Sequence, residues 1–212
     1  MKLAASAAPR YGSASKEAGM RTFVAVEIAE PIRREIQAVR DGLAEAQANV
    51  KWVEQDNTHL TLKFIGNLSA GQMPEVCAAL EEAAADVEPF DIEIRGVGTF
   101  PKRRPSVLWV GVEDPSRLLG RLHAAIENGL QKLGIKKEGR KFSPHITLGR
   151  VRGGKNIGAL LQALDDEQPA ELGTSRVSAL ILFESKLSSA GPVYGSLAEI
   201  PLRGSRSVEC GE

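Results

Sequence analysis

The sequence predicts an α+β fold of two similar lobes related by a pseudo-two-fold axis, each a mainly antiparallel sheet with helices on its outer face, with a cleft between them. Two observations predict it. Apolar residues alternate along the chain between the period of a strand and that of an amphipathic helix. A unit of strand, helix and strand also occurs twice, and its opening residues, Phe23 and Val107, precede a histidine by 36 and 38 residues.

The individual elements follow from periodicity and from proline and glycine signals. In the first half of the chain, we expect a strand at 22–28, a helix from Pro31, a strand at 59–65, a helix around 73–87 and a half-buried strand at 90–97. In the second half, we expect a basic turn at 101–105, a strand at 107–112, a helix at 118–133, a strand at 145–151, a weak helix at 157–164, and strands at 176–185 and 193–202.

Composition divides the chain into one domain and two tails. Residues 20–202 carry the periodic pattern and are long enough to form a single bilobal domain with a substantial core. Residues 1–19 are rich in Ala, Ser and Gly and predict a disordered N-terminal extension. Residues 203–212 predict a flexible C-terminal tail.

Charge and cysteine content restrict the possible partners. The formal net charge is zero, so any contact with a polyanion must come from local basic patches. Cys77 lies in an apolar helical pattern and Cys210 in a polar tail, which predicts no disulfide and favours the reducing cytoplasm. No stretch is long and apolar enough for a membrane span, and we expect a monomer without an obligate protein partner.

One tetrapeptide pattern occurs twice, first as His59-Leu60-Thr61-Leu62 and again as His145-Ile146-Thr147-Leu148. In a strand, His and Thr two positions apart share a face, while the aliphatic residues between them face the core. A two-fold axis between the repeated units would place both histidines across one cleft. The third histidine of the chain, His123, has no Thr at this spacing and is predicted to be an ordinary helix residue.

This pattern suits acid–base chemistry at a phosphate. Histidine titrates near neutral pH, so one imidazole can accept a proton while the other donates one. Displacement at phosphorus needs these two proton transfers on opposite sides, and the threonine hydroxyls can hold the phosphate oxygens. No carboxylate or cysteine stands at ligand spacing from either histidine, so we expect neither a metal nor another cofactor.

Longer motifs resemble a known family over residues 20–202. They are MRTFVAV from Met20, Trp52-Val53, NTHLTLKFIG from Asn57, GTFP from Gly98, VLWVG from Val107 and FSPHITLGR from Phe142. In this order they resemble the two-histidine phosphoesterase superfamily, and most closely its RNA 2′,3′-cyclic phosphodiesterase branch, which is also described as 2′-5′ RNA ligase.

The resemblance implies metal-independent hydrolysis of RNA ends that carry a 2′,3′-cyclic phosphate, giving 2′-phosphomonoesters. It implies that His59 is the proton donor and His145 the proton acceptor, and that Thr61, Thr147 and Arg150 bind the phosphate. The residues alone leave the division between donor and acceptor open, because a near-symmetric pair can exchange roles. Strict alternation also places Arg150 on the face opposite His145, so its role requires a bulge near Gly149.

Further candidates surround the motifs. Lys63 shares the alternation face of His59, so it either lines the cleft or is an exposed strand lysine. Basic residues that could meet an RNA backbone are Lys102, Arg103, Arg104, Lys136, Lys137, Arg140 and Lys141. Candidates for stacking on a base are Trp52, Trp109, Phe142 and Tyr194; of these, Trp109 is expected in the core, and Phe142 and Tyr194 are preferred.

Three alternatives to metal-independent hydrolysis remain open on the sequence alone. The same transfer in reverse, with a 5′ hydroxyl in place of water, would make an ATP-independent 2′-5′ RNA ligase. A module that binds RNA ends or nucleotides without turnover could use the same clamp, although it would not need both histidines. Metal-dependent hydrolysis would require ligands beyond the two histidines.

Overall fold

The computed structural model of the chain describes residues 19–101, 104–168, 170–188 and 191–204. Within these ranges it contains nine strands and four α-helices, in the order β1 Met20–Glu27, α1 Glu30–Ala44, β2 Val50–Trp52, β3 His59–Leu68, α2 Met73–Ala85, β4 Phe90–Phe100, β5 Val107–Glu113, α3 Leu118–Lys132, β6 His145–Val151, α4 Ile157–Asp166, β7 Glu171–Val177, β8 Ala179–Leu187 and β9 Pro192–Pro201. The predicted extension at 1–19 lies outside the described residues except for Gly19. The predicted tail at 203–212 is described only at Arg203 and Gly204.

The strands form one curled antiparallel sheet in the order β7-β4-β5-β6-β3-β1-β8-β9, and β2 pairs with β6 beyond the end of β3. Four strands on each side of the β6–β3 junction correspond in order, with β6 matching β3 and β5 matching β1. The predicted α+β fold of two similar halves is therefore confirmed. The two predicted sheets are halves of one continuous sheet.

The helices cover one face of this sheet and are exchanged between its halves. Helix α1 follows β1 but packs against β7 and α4, whereas α3 follows β5 but packs against β3 and α2. The side chains that α1 and α3 bury recur at helical spacing and are Ile32, Ile36, Leu43, Leu119, Leu122, Ile126 and Leu130. Exchange of the helices joins the two halves into a single core, and the opposite face of the sheet stays open for the candidate site.

Two parts of the strand prediction differ from the structure. The run predicted at 176–185 is two strands, because β7 pairs with β4 while β8 pairs with β1, and the chain crosses between the halves at Ser178. The buried positions change parity at this crossing, from Ser175 and Val177 to Leu180 and Leu182, but no glycine or proline between them marks the change in the sequence. Strand β4 also extends past its predicted end to Phe100. None of the helices in the described ranges combines the length and the apolar character needed to cross a membrane.

Candidate active site

The two motif strands, β3 and β6, are antiparallel neighbours at the centre of the sheet. Their paired residues are Leu60 and Ile146, both fully buried on the helix-covered side. When this antiparallel register is extended by one residue in each direction, His59 lies opposite Thr147 and Thr61 lies opposite His145. All four polar side chains belong to the open face, because the side chains of a strand alternate.

A backbone carbonyl two residues upstream holds each imidazole. Nδ1 of His59 lies 2.7 Å from the carbonyl oxygen of Asn57, and Nδ1 of His145 lies 2.7 Å from that of Ser143. Because a carbonyl oxygen can only accept, Nδ1 carries the proton and donates in both rings. Each histidine therefore keeps Nε2 for its other partner, an arrangement suited to proton transfer.

The His59 ring lies in a largely apolar setting. Its centroid is 4.9 Å from that of Phe23 and 5.2 Å from that of Tyr194, which meets it edge on. Burial lowers the pKa of His59 to about 4, although its hydrogen bond to Asn57 favours the charged form. His59 is therefore neutral near pH 7 in the free protein, and the Thr61 hydroxyl, 3.0 Å away, donates to its Nε2.

His145 has a more open environment. It is only half-buried, and the Phe100 ring meets it edge on at 5.2 Å. Beside it is a depression of about 360 Å³ that also reaches Trp109 and Gly111. The two histidines therefore share their backbone tether and differ in their surroundings.

A bulge in β6 changes the face of Arg150. Val107 of β5 pairs with Arg150 and Trp109 pairs with Thr147, so the register skips one residue around Leu148. Val107 and Trp109 share a face of β5, which puts Arg150 on the same face as Thr147. The bulge near Gly149 that a site role for Arg150 requires is present.

Gly149 lies within this bulge at a position that has no space for a side chain. A Cβ atom at this position would lie 2.6 Å from Cγ1 of Val50 and 3.0 Å from the indole of Trp52.

The pKa of Tyr194 indicates that the charge of Arg150 lies nearby. Burial raises the pKa of the Tyr194 hydroxyl, while the positive charges of Arg150 and Arg21 oppose that rise. Arg150 is thus close enough to influence an aromatic residue that contacts His59.

A second bulge, in β3, makes the expectation wrong that Lys63 lines the cleft or lies in solvent. The register between β1 and β3 skips Leu62, so Lys63 turns to the helix side of the sheet and is 4% exposed. Its Nζ lies 2.9 Å from the Glu127 carboxylate and donates to the carbonyl of Lys136 at 2.7 Å. Lys63 therefore neither lines the cleft nor lies in solvent.

Comparison with known proteins identifies the family. The model of the 2′-5′ RNA ligase superfamily matches residues 28–186, a span that includes both motifs. The chain belongs to the 2′-5′ RNA ligase superfamily. This is the two-histidine phosphoesterase family that the motifs resemble, so that expectation is confirmed.

Relatives of the chain in this superfamily match it over most of their length. A Methanothermobacter thermautotrophicus protein named RNA 2′,3′-cyclic phosphodiesterase is 38% identical over 176 residues, which cover 82% of this chain and 95% of that protein. A crystal structure from Thermus thermophilus superposes with a TM-score of 0.75 at 28% identity, over 88% of this chain and 100% of that one. LigT of E. coli in complex with 3′-AMP superposes with a TM-score of 0.70 at 25% identity, over 87% of this chain and 98% of that one.

Among the candidates for stacking on a base, Trp109 was expected in the core, and that prediction is wrong. Trp109 is the β5 partner of Thr147 and lies half-buried on the open face, outside the core. Trp52 and Phe142 pack against the core instead, and Phe142 stacks on His123 with ring centroids 3.9 Å apart. Tyr194, a preferred candidate, contacts His59.

Phe64 and Phe100 are exposed aromatic residues that the sequence pattern does not distinguish. Phe64 takes the position in β3 that Arg150 takes in β6, two residues past the bulge. Only a bulge-aware alignment of the two repeats could have found it.

The basic clusters remain candidates. Lys102 and Arg103 lie outside the described residues, whereas Lys136, Lys137, Arg140 and Lys141 are exposed on the segment that leads to β6. In the part of the chain that the structure describes, no three residues among His, Cys, Asp and Glu are grouped as a metal site.

Proposed function

We propose that this protein hydrolyses RNA ends that carry a 2′,3′-cyclic phosphate and releases 2′-phosphomonoesters, without a metal or another cofactor. The observation that carries the proposal is the pair of motif strands, on which two histidines with tethered Nδ1 atoms share an open face with two threonines. The name RNA 2′,3′-cyclic phosphodiesterase given to relatives at 38%, 37% and 34% identity supports it.

In the proposed reaction, Nε2 of His145 removes a proton from water while the water oxygen attacks phosphorus. The bond from phosphorus to the 3′ oxygen breaks, and Nε2 of His59 gives its proton to that oxygen. The 2′ oxygen keeps the phosphate. His145 ends the step protonated and His59 neutral; His145 then loses its proton to solvent, and His59 takes one up when the next substrate binds.

The remaining site residues would hold the phosphate during this step. Thr61 and Thr147 donate to the non-bridging oxygens, and the guanidinium of Arg150 stabilises the charge that develops on them. The bulge at Gly149, which returns Arg150 to the face of Thr147, supports the last assignment.

The lowered pKa of His59 adds a condition to this mechanism. A donor must be protonated, yet His59 is neutral near pH 7 in the free protein. The negative charge of a bound phosphate favours the imidazolium. Nε2–H of the charged ring then donates to the leaving oxygen, and Thr61 is released to the phosphate. Substrate binding therefore includes proton uptake.

We further propose that residues 20–202 form one domain that acts as a monomer in the cytoplasm on RNA or oligonucleotide ends. Both motifs of the cleft come from a single chain, which supports a monomer.

The test is incubation with an oligonucleotide that ends in a 2′,3′-cyclic phosphate, in chelator, for the wild type and the variants His59→Ala and His145→Ala. Wild type should open the cyclic end and both variants should lose at least about 1000-fold in rate. His123→Ala is the matched control, since it removes the histidine outside the cleft. If the wild type binds the oligonucleotide but leaves its cyclic phosphate intact, the proposed enzymatic function is contradicted and a binding module is favoured.

A further inference from the structure

We infer that Asn57 is a positioning residue whose side chain holds the hairpin of β8 and β9 in place over the His59 ring. The inference deepens the proposed function and rests on it, because His59 is the proposed proton donor. The side-chain amide of Asn57 donates to the carbonyl oxygen of Pro192 at 3.1 Å, across 135 residues of sequence. Since a carbonyl oxygen can only accept, the amide nitrogen is the atom that faces Pro192.

The end of this hairpin has little support from the sheet. Strand β8 pairs with β1 from Ile181 to Glu184, whereas β8 and β9 pair with each other out to Leu187 and Pro192. Beyond Glu184 the hairpin is therefore a two-stranded ribbon, and such a ribbon is only marginally stable without further contacts. Its position depends on contacts like that with Asn57.

The hairpin folds back across the open face of the sheet. Glu184 pairs near the beginning of β1, while His59 pairs with Glu27 at the end of β1. The register of these strands alone would keep the end of the hairpin far from His59. The hydrogen bond between Asn57 and Pro192 holds the two regions together.

Two residues after Pro192, the same strand places Tyr194 on the His59 ring. The two rings meet edge on at 85°, with 5.2 Å between their centroids, and Tyr194 also contacts Phe23 at 5.0 Å. Tyr194 therefore belongs to the surroundings that bury His59. If the hairpin moved away from Asn57, Tyr194 would move with it.

The backbone of Asn57 is fixed without its side chain. Residues Gln55–Asn57 form a 3₁₀ turn. The N–H of Asn57 donates to the Glu54 carbonyl at 2.9 Å, and that of Thr58 donates to the Gln55 carbonyl at 3.0 Å. A substitution of Asn57 therefore removes the contact with the hairpin and keeps the main-chain carbonyl that accepts from Nδ1 of His59.

The corresponding residue before the second motif has no such contact. Ser143 holds Nδ1 of His145 through its carbonyl oxygen. The Ser143 side chain is exposed and makes no hydrogen bond to the residues that the structure describes. The side-chain contact is therefore specific to the half that holds His59, and it accompanies the difference between a buried and an open histidine.

A covered ring suits the proposed role of His59. In the proposed reaction, the proton on Nε2 goes to the leaving oxygen. With the hairpin in place, burial disfavours the charged ring until the phosphate binds. With the hairpin released, water would reach the ring, and His59 would take up its proton in the free protein.

The first test is the titration of His59 in the free protein, followed by NMR of its ring protons and assigned with His59→Gln. Asn57→Leu keeps the size of the side chain and removes the donor. We expect the pKa of His59 to rise from about 4 by at least about one pH unit. Asn156→Leu is the matched control and should leave the titration unchanged, because Asn156 also donates to main-chain carbonyls, those of Ala46 and Gln47 after α1.

A change of charge cannot explain such a rise, because Asn57→Leu exchanges one neutral side chain for another. The titratable and charged side chains on the elements around His59, which stay the same, include Arg21, Glu27, Asp56, Arg150, Glu184 and Tyr194. A rise would therefore report hydration of the ring. A lower free energy of unfolding with an unchanged titration of His59 would show a purely structural role and overturn the inference.

A double-variant cycle shows whether Asn57 acts through the hairpin. Tyr194→Leu removes the ring that contacts His59 and should itself raise the pKa of His59. Adding Asn57→Leu to Tyr194→Leu should then raise this pKa little further, because both substitutions remove the same cover. Increases that add in full would contradict the inference.

Turnover is measured separately. For adenosine 2′,3′-cyclic phosphate, Asn57→Leu should lower kcat by roughly 10- to 100-fold, because a loosely held donor is less often aligned with the leaving oxygen. An unchanged kcat would contradict the positioning role. The titration needs no substrate, so absence of hydrolysis by wild type would contradict the proposed function while the titration still decides the role of the hairpin contact.

Discussion

Leu60 of β3 and Ile146 of β6 face each other where the two halves of the sheet meet. Both side chains are fully buried beneath the helices. This apolar pair fixes the register in which each motif histidine stands opposite the threonine of the other motif. A shift of one residue in either strand would turn the His and Thr of that strand into the core, so the buried pair stabilises the arrangement that the proposed chemistry needs.

Stability should depend on pH through His59. Its pKa is about 4 in the folded protein, against an ordinary value of 6.5. Between these two pH values, His59 is protonated in the unfolded chain and neutral in the folded chain. Its contribution to the free energy of unfolding is therefore fully present above about pH 6.5 and is lost as the pH falls towards 4. Urea unfolding should give a free energy about 2 kcal/mol lower near pH 5 than near pH 7 from this group alone. His59→Gln should remove that difference and His145→Gln should keep it; an equal difference in both variants would contradict the account.

Binding of the cyclic phosphate should draw a proton from solution. A phosphodiester keeps one negative charge over the neutral range, so His59 is the group expected to take up the proton near pH 7. Calorimetry in two buffers of different ionisation enthalpy can count it, with His145→Ala used to prevent turnover and adenosine 2′,3′-cyclic phosphate as ligand. We expect uptake of up to about one proton, because the phosphate charge favours the imidazolium. Uptake that persists when His59→Ala is added would exclude His59 as its source.

Arg150 should contribute through its charge and its fork of donors. Removing a charged hydrogen-bond donor costs about 1.5–3 kcal/mol, so Arg150→Ala should lower kcat/KM by roughly 10- to 150-fold. Arg150→Lys should recover part of that loss, since it keeps the charge. Arg152, an exposed arginine two residues further on, gives the matched control Arg152→Ala. Equal effects of the two alanine variants would remove Arg150 from the site.

The ion pair between Lys63 and Glu127 should govern stability. Both side chains are more than nine-tenths buried, and they connect β3 to α3 and to the segment that leads into β6. Lys63→Met leaves a buried carboxylate without its cation and should cost about 3–5 kcal/mol in the free energy of unfolding. The double variant Lys63→Met with Glu127→Leu removes both charges and should cost less than Lys63→Met alone. A double variant that is the less stable of the two would show that the pair acts in another way.

Much of the site followed from the sequence because it depends on local spacing. His and Thr two residues apart share a face in any strand, and the repeated unit made the meeting of the two motifs a geometric expectation. For Arg150, the same reasoning required a bulge at Gly149, and the register of β5 against β6 contains it.

The failures arise where tertiary structure overrides local alternation. Alternation places Lys63 on the face of His59, because no glycine or proline signals the bulge that precedes it in β3. The pattern around Trp109 predicts a core position, because an apolar strand conceals which of its faces is open. The exchange of α1 and α3 between the halves also depends on packing between distant elements. No local pattern in the chain encodes that packing.

The most direct test of the central claim is the identity of the product. Hydrolysis of adenosine 2′,3′-cyclic phosphate can be followed by separating adenosine 2′-monophosphate from adenosine 3′-monophosphate. If the two histidines act on one phosphate as proposed, wild type yields the 2′-monophosphate, and His59→Ala and His145→Ala each yield almost none. Formation of the 3′-monophosphate, or unchanged turnover in either variant, would contradict the account.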